Sequence, residues 1–201
     1  MSIVLAGFIT GLSLIVAIGA QNAYVLRLGL TRTHVGLAVA ICAISDAVLI
    51  VAGTAGVGAI VEASPTALTI VSWVGALYLG TYAVLAFRRA LRTEVLMPSE
   101  QTAPSRRAVL LAVVAFTWLN PHVYLDTVLL LGSIGSQYGA DRWWFALGAA
   151  TASVVWFTGL GFGARAAARL MSRPVTWRVL DIVIGVVMTM IAVSLVRGSL
   201  R

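Results

Sequence analysis

Residues 108–131 read AVLLAVVAFTWLNPHVYLDTVLLL, two apolar stretches with Asn120 and Pro121 set between them. A helix crosses the ~30 Å hydrocarbon core with about 20 apolar residues, so this run is long enough to span a membrane. Pro121 interrupts it, because proline lacks an N–H and its ring clashes with the carbonyl one turn earlier, that of Thr117. A carbonyl freed at membrane depth needs a polar partner or a water-lined cavity. The stretch therefore predicts a membrane helix that is broken around a polar site.

Five more apolar runs lie outward from it, at about 3–26, 35–61, 66–87, 143–164 and 175–196. They are unbroken rather than alternating, which excludes the ~10-residue strands of a membrane barrel. The whole chain agrees. Of its 201 residues 60% are hydrophobic and 10% charged, and the mean hydropathy is +0.99. Soluble domains carry about 25% charged residues, so a soluble enzyme is excluded, and so is a disordered chain poor in apolar residues. The fold class expected is an all-α integral membrane protein of six transmembrane helices. Met1-Ser2-Ile3 lacks the basic start of a signal peptide, so the first run is expected to be a span. Cys42 is the single cysteine, which leaves no internal disulfide, zinc-type spacing or other cofactor motif.

All 14 basic residues are arginine, against seven acidic ones, giving a net charge of +7. Arginines lying between apolar runs do not form a soluble basic surface, so nucleic acid is not an expected partner. Eleven of the 14 follow the first, third and fifth runs. Positive loops stay in the cytoplasm, so both termini are expected outside.

Residues 88–107 hold Pro98, Pro104, Glu94 and Glu100 and read as a cytoplasmic linker. They divide one transporter-like domain, 1–201, into a first repeat of about 3–87 and a second of about 108–197. The halves are weakly alike: Gln21-Asn22-Ala23-Tyr24 answers Asn120-Pro121-His122-Val123-Tyr124, Ser45 and Gly53 answer Ser153 and Gly161, and Gly75 answers Gly185. Three spans per half force opposite topologies. Such inverted repeats commonly build secondary transporters with the substrate site near the midplane.

Polar side chains in the membrane are costly and so informative. The two asparagines of the chain, Asn22 and Asn120, fall in the corresponding motifs, with Gln21 beside the first and Pro121 and His122 beside the second. They either line a cavity or glue helices together. Asp46, near the middle of the second run, costs ~2.5–3.5 kcal/mol on an insertion scale, so it should face the bundle interior or water. Asp126 lies one turn beyond His122 and can share its face. Trp118 and Tyr124 flank the break, where they could cover a cationic group or simply pack. Asp181 is read as a charge at a helix N-terminus and left out of the site. Gly7 and Gly11 have the spacing of close helix packing.

The segment Thr117-Trp118-Leu119-Asn120-Pro121-His122-Val123-Tyr124-Leu125-Asp126-Thr127, together with Ile44-Ser45-Asp46, Gly135-Ser136-Gln137-Tyr138 and Val187-Met188-Thr189, resembles the LysE-type exporters of lysine and arginine. The resemblance covers nearly the whole chain. It implies a bacterial inner-membrane exporter of L-arginine or L-lysine, with no cofactor and the lipid bilayer as its setting. Homo-oligomerisation is left open. Moving a positive charge out against an inside-negative potential costs about 2.3 kcal/mol per 100 mV, so uphill export needs coupling, and inward proton movement is the simplest. The polar residues read above, Gln21, Asn22, Asp46, Asn120, Pro121, His122, Tyr124 and Asp126, are the expected substrate-binding set, with Asp46 or Asp126 taking either substrate cation or proton and Trp118 as a cation–π candidate. One departure stands out: Gly19-Ala20-Gln21-Asn22 lacks the proline usual in that family's first span. The expectation is thus a first helix less broken than the fourth. Export of neutral amino acids or a divalent metal, an intramembrane enzyme using Asp46, His122 and Asp126, and a passive channel are the alternatives.

Overall fold

The computed structural model describes residues 2–16, 19–56, 65–91, 104–164, 166 and 174–199. Among them every regular element is helical: α1 (Ile3–Ile15), α2 (Ala20–Thr31), α3 (Val35–Thr54), α4 (Pro65–Leu91), α5 (Arg106–Trp118), α6 (Pro121–Ser136), α7 (Arg142–Gly163) and α8 (Pro174–Ser199). Val35–Thr54, Gly139–Gly163 and Trp177–Ser199 are each long and apolar enough to cross a membrane, and two bent pairs, α1 with α2 and α5 with α6, bring the number to five. α4 has 27 residues, about 40 Å of helix, and covers the expected run 66–87. The second run stops at Thr54 rather than 61; residues 57–64 lie outside the described residues. Helix also enters both ends of the stretch read as a linker. α4 continues to Leu91, and α5 starts at Arg106 behind an N-cap in which Ser105 Oγ accepts from the Ala108 N–H at 3.2 Å.

Polarity alone does not orient these helices, because both the bundle and the lipid are apolar. Size does. α3 buries Ala38, Cys42, Ser45, Asp46 and Gly53 and exposes Ile44, Val48 and Val51. On α4, Leu77 is 74% exposed while Ala76, Ala83 and Ala86 are buried. Lipid tails are as apolar as leucine, so helices associate through small residues that bring backbones close; large side chains go both ways, Ile50 and Leu79 being buried where Ile44 and Leu77 face outward.

α1 packs along α7, α6 along α3, α3 against α7, and α4 against α8. Exchanging the two halves of the chain converts the α3–α7 and α4–α8 pairings into themselves, α1–α7 into the contact of α5 with α3, and α6–α3 into that of α2 with α7, both of which are also formed. Glycines set the closest approaches. A Cβ on Gly7 would meet the Phe145 carbonyl oxygen, and one on Gly148 that of Val4. Between α3 and α6, a Cβ on Gly53 would lie 2.6 Å from the Val128 carbonyl oxygen, and one on Gly132 2.6 Å from that of Gly53. Gly75 does the same for the break, where its Cβ would strike the carbonyl oxygen of Leu119.

The first helix is the more sharply broken of the two, against the expectation from its missing proline. α1 and α2 meet at 84°, α5 and α6 at 59°. The reason is a side chain rather than a ring. Gly19 is extended (φ −114°, ψ 175°) ahead of α2, and Asn22 turns its amide back to the end of α1, where Nδ2 donates to the Ile15 carbonyl at 2.8 Å.

Overpacking a close contact typically costs about 1–3 kcal/mol. Gly7→Ala and Gly148→Ala should therefore lower the thermal unfolding midpoint in detergent. Gly159→Ala, whose Cβ would meet nothing within 4 Å, should leave it unchanged or raise it, since alanine is the better helix residue.

Candidate functional site

The break at Asn120-Pro121 is rewired within seven residues. In an unbroken helix the His122 N–H would donate to the Trp118 carbonyl. Here it donates to Asn120 Oδ1 at 3.1 Å, so Asn120 N-caps α6. The Trp118 carbonyl instead accepts from the Tyr124 hydroxyl at 2.8 Å. Pro121 at the first helical position costs nothing further, because its absent N–H would have no intrahelical partner there. α6 then continues as π-helix over Tyr124–Leu131, a rare widening that is frequent at functional sites.

The two breaks face a common cavity of about 250 Å³ lined by Gly19, Ala20, Gln21, Asn22, Asp46, Asn120, His122, Asp126 and Thr127, with Leu14, Leu131, Phe157 and Ile191 among the apolar walls. Pockets for drug-sized ligands run about 300–1,000 Å³, so this one suits a smaller molecule. The structure thus gathers six of the residues singled out in the sequence, from α2, α3 and α6 and the junction before it. Pro121, Tyr124 and Trp118 do not line it. Pro121 and Tyr124 shape the break, and the Trp118 indole donates to Ser45 Oγ at 3.2 Å, tying α5 to α3.

Asp46 is buried at 6% exposure, and its Oδ2 accepts from Ser153 Oγ on α7 at 2.6 Å. Asn22 is held at both ends of its amide: besides the Ile15 carbonyl, its Oδ1 accepts from the Trp156 indole at 3.2 Å. Its first task is therefore to hold the α1–α2 break open. His122 shares a 3.1 Å hydrogen bond with Ser194 on α8. Gln21 contributes a donor, since Nε2 is buried without a hydrogen-bond acceptor. Among the described residues no arginine lines the cavity, and the carboxylates that line it are Asp46 and Asp126. Among the described residues no three His, Cys, Asp or Glu side chains are grouped to hold a metal ion.

Sequence reasoning missed three kinds of partner. Ser153 was noted only as the counterpart of Ser45, and Trp156, which aligns Asn22, was not singled out. Asp181 is not a free helix-terminal charge. It is buried, and its Oδ1 accepts from Arg27 Nη1 and, at 3.2 Å, from Arg89 Nε. Seven acidic residues against 14 basic ones gave a hint that buried acids would be claimed by arginines, but not by which.

Comparison with known proteins places the chain among transporters. The family model described as LysE type translocator matches residues 12–199. A protein named lysine exporter LysE, from Corynebacterium diphtheriae, is 38% identical over 98% of this chain and 99% of its own length. Two mycobacterial proteins named putative amino-acid transporters, Rv0488 from Mycobacterium tuberculosis and Mb0498 from Mycobacterium bovis, are each 43% identical over 94% of both chains. No solved structure matches the chain. A family match over nearly the full length, on a chain of apolar helices with no soluble domain's charge, makes this a multi-pass membrane transporter, and the chain belongs to the LysE-type translocator family.

Proposed function

We propose that the protein exports basic L-amino acids, L-arginine or L-lysine, across the bacterial cytoplasmic membrane in exchange for protons. The observation that carries this reading is the charge of the cavity: among the described residues it is lined by two carboxylates and no arginine, in a chain whose basic residues outnumber its acidic ones two to one. Such a site favours a cation. The C. diphtheriae relative named as a lysine exporter supports the same substrate class.

The cavity has a complementary end for each part of an amino acid. Gly19, Ala20 and Gln21 bring the first turn of α2 to the cavity wall. The first N–H groups of a helix have no intrahelical acceptor, and the dipole favours an anion there, so the substrate carboxylate belongs at this end with the Gln21 amide. Half-helix N-termini serve substrate carboxylates in this way in other transporters built on broken helices. The side-chain cation then belongs at Asp46 or Asp126, and the α-amino group near Asn120.

Energetics supplies the coupling argument. Moving one positive charge out against an inside-negative potential costs about 2.3 kcal/mol per 100 mV. A carboxylate that takes either a proton or the substrate cation, never both, exchanges one charge for another and cancels that cost. Six spans with both termini outside, and two inverted halves rocking about the cavity, complete the reading. The packing of α6 on α3 and of α2 on α7, which half-exchange interconverts, supports it.

The decisive experiment is counterflow of labelled L-arginine into proteoliposomes preloaded with arginine, lysine or leucine. Arginine and lysine should drive uptake and leucine should not; leucine alone driving it would favour a neutral substrate and sink the basic-specific reading. Asp46→Asn should lower exchange about a hundredfold or more, because removing one partner of a buried charge pair costs about 2–5 kcal/mol. An imposed proton gradient should accelerate export by the parent protein, and retention of that acceleration when both Asp46 and Asp126 are asparagine would refute carboxylate coupling. Ser153→Ala should cost less, about tenfold, since one hydrogen bond to a charged group is worth about 1.5–3 kcal/mol. That loss should appear mainly at low substrate concentration, with Asp46 still charged but less well oriented.

A further inference from the structure

Asp181 anchors a second polar assembly that the cavity does not use. Arg27 at the end of α2 and Arg89 at the end of α4 both donate to Asp181 Oδ1 on α8. The side chains of Arg27 and Asp181 are 12% and 7% exposed. One carboxylate oxygen thus ties α2 to the packed pair of α4 and α8.

Between this triad and the cavity lies a layer of rings. Arg89 sits over the Tyr82 ring at 5.5 Å. Tyr82 packs on Tyr24 at 5.9 Å and on Phe116 at 5.0 Å, and Tyr24 packs on Phe116 at 5.2 Å. Chain direction places the layer. Tyr24 follows Gln21 and Asn22 along α2 on the way to Arg27, and Phe116 precedes Asn120 by about one turn on the way back to Arg106. Arg27 is five residues past Asn22, about 8 Å along the helix. The rings and the triad therefore occupy the arginine-rich side of the cavity. Its remaining lining, Leu14, Asp126 and Leu131, lies beyond the breaks on the opposite side.

We propose that Arg27, Asp181 and Arg89, backed by Tyr24, Tyr82 and Phe116, form the gate that closes the cavity toward the arginine-rich face. Two features fit a gate better than a permanent strut. Two guanidinium groups share one carboxylate, so the assembly carries an excess positive charge, and Arg89 Nη2 is buried with no acceptor. A buried ion group of this kind is held weakly for its charge and can be exchanged for solvated ends when the helices part. Its position also selects what moves. The triad ties α2 to α4 and α8, so opening releases α2, the helix that carries Gln21 and Asn22. The inference rests on transport by alternating access, not on the identity of the substrate.

The test is accessibility from each side of the membrane. Thr127→Cys in a Cys42→Ala background places one thiol on the cavity wall, and a charged, impermeant thiol reagent is applied to sealed vesicles of either orientation. The parent background should react from the arginine-poor side and be shielded from the arginine-rich side. Asp181→Asn should raise labelling from the arginine-rich side about tenfold by shifting the population toward the open form. Unchanged labelling in correctly inserted protein would overturn the gate. A second arm does not depend on that variant folding: Arg27→Cys with Asp181→Cys, joined by a short bifunctional thiol reagent, should abolish exchange while leaving Thr127→Cys reactive from the arginine-poor side. Exchange at the unlinked rate after complete joining would equally overturn it. Absence of arginine or lysine exchange in unlinked protein would refute the basic-substrate reading alone, because the labelling arm needs no substrate.

Discussion

Backbone groups at membrane depth must find partners within the protein, and this requirement at two broken helices governs most of the structure. The α5–α6 break is solved locally: Asn120, His122 and Tyr124 exchange the hydrogen bonds of a regular helix for side-chain ones within one heptapeptide. The α1–α2 break is solved at a distance, with Asn22 capping Ile15 and being held in turn by Trp156 from α7. Both solutions leave polar groups pointing at one cavity. The glycine contacts follow from the same need, because half-helices too short to span alone must lie close against a full-length neighbour. Gly7 and Gly148 serve α1 in this way, and Gly53 and Gly132 serve α6.

The two buried acids divide the electrostatic work. Asp181 has two arginines and is satisfied inside the protein. Asp46 has a serine hydroxyl, which orients the carboxylate without neutralising it. Burying a charge costs several kcal/mol unless it is paired and hydrogen-bonded, so Asp46 is the acid left to be neutralised by a proton or by a bound cation, the two states that the proposed exchange alternates between. That asymmetry, rather than burial as such, is what the proposal rests on.

Apolar length, the Asn120-Pro121 interruption and the close packing at Gly7 and Gly11 were legible in the sequence because each acts over a few residues. So were the six polar residues that line the cavity, since polar groups in a span have few places to go, whereas Pro121, Tyr124 and Trp118 lie outside its lining. What the sequence withheld is long-range. The sharper first break depends on Trp156, 134 residues from Asn22, and no local rule compensates for a missing proline in that way. Asp181 looked like a helix-terminal charge because its partners are 154 and 92 residues away. Trp118 looked like a cation–π wall, yet its indole N–H needed an acceptor in an apolar setting and found Ser45. The π-helix over Tyr124–Leu131 had no sequence signature, as an extra residue per turn is decided by how α6 seats against α3.

α2 joins these elements mechanically. Its first turn lines the cavity, its middle carries Tyr24 into the ring layer, and its end carries Arg27 into the ion triad. A rigid helix of 12 residues transmits displacement at one end to the other. Occupation of the cavity at Gln21 therefore bears on the same body that Asp181 restrains, and release of Asp181 bears on the cavity. No relay of side chains is needed between them. The break before α2 is what permits this, for a continuous first helix would bind α2 to the long α1–α7 contact and leave it unable to respond to either end.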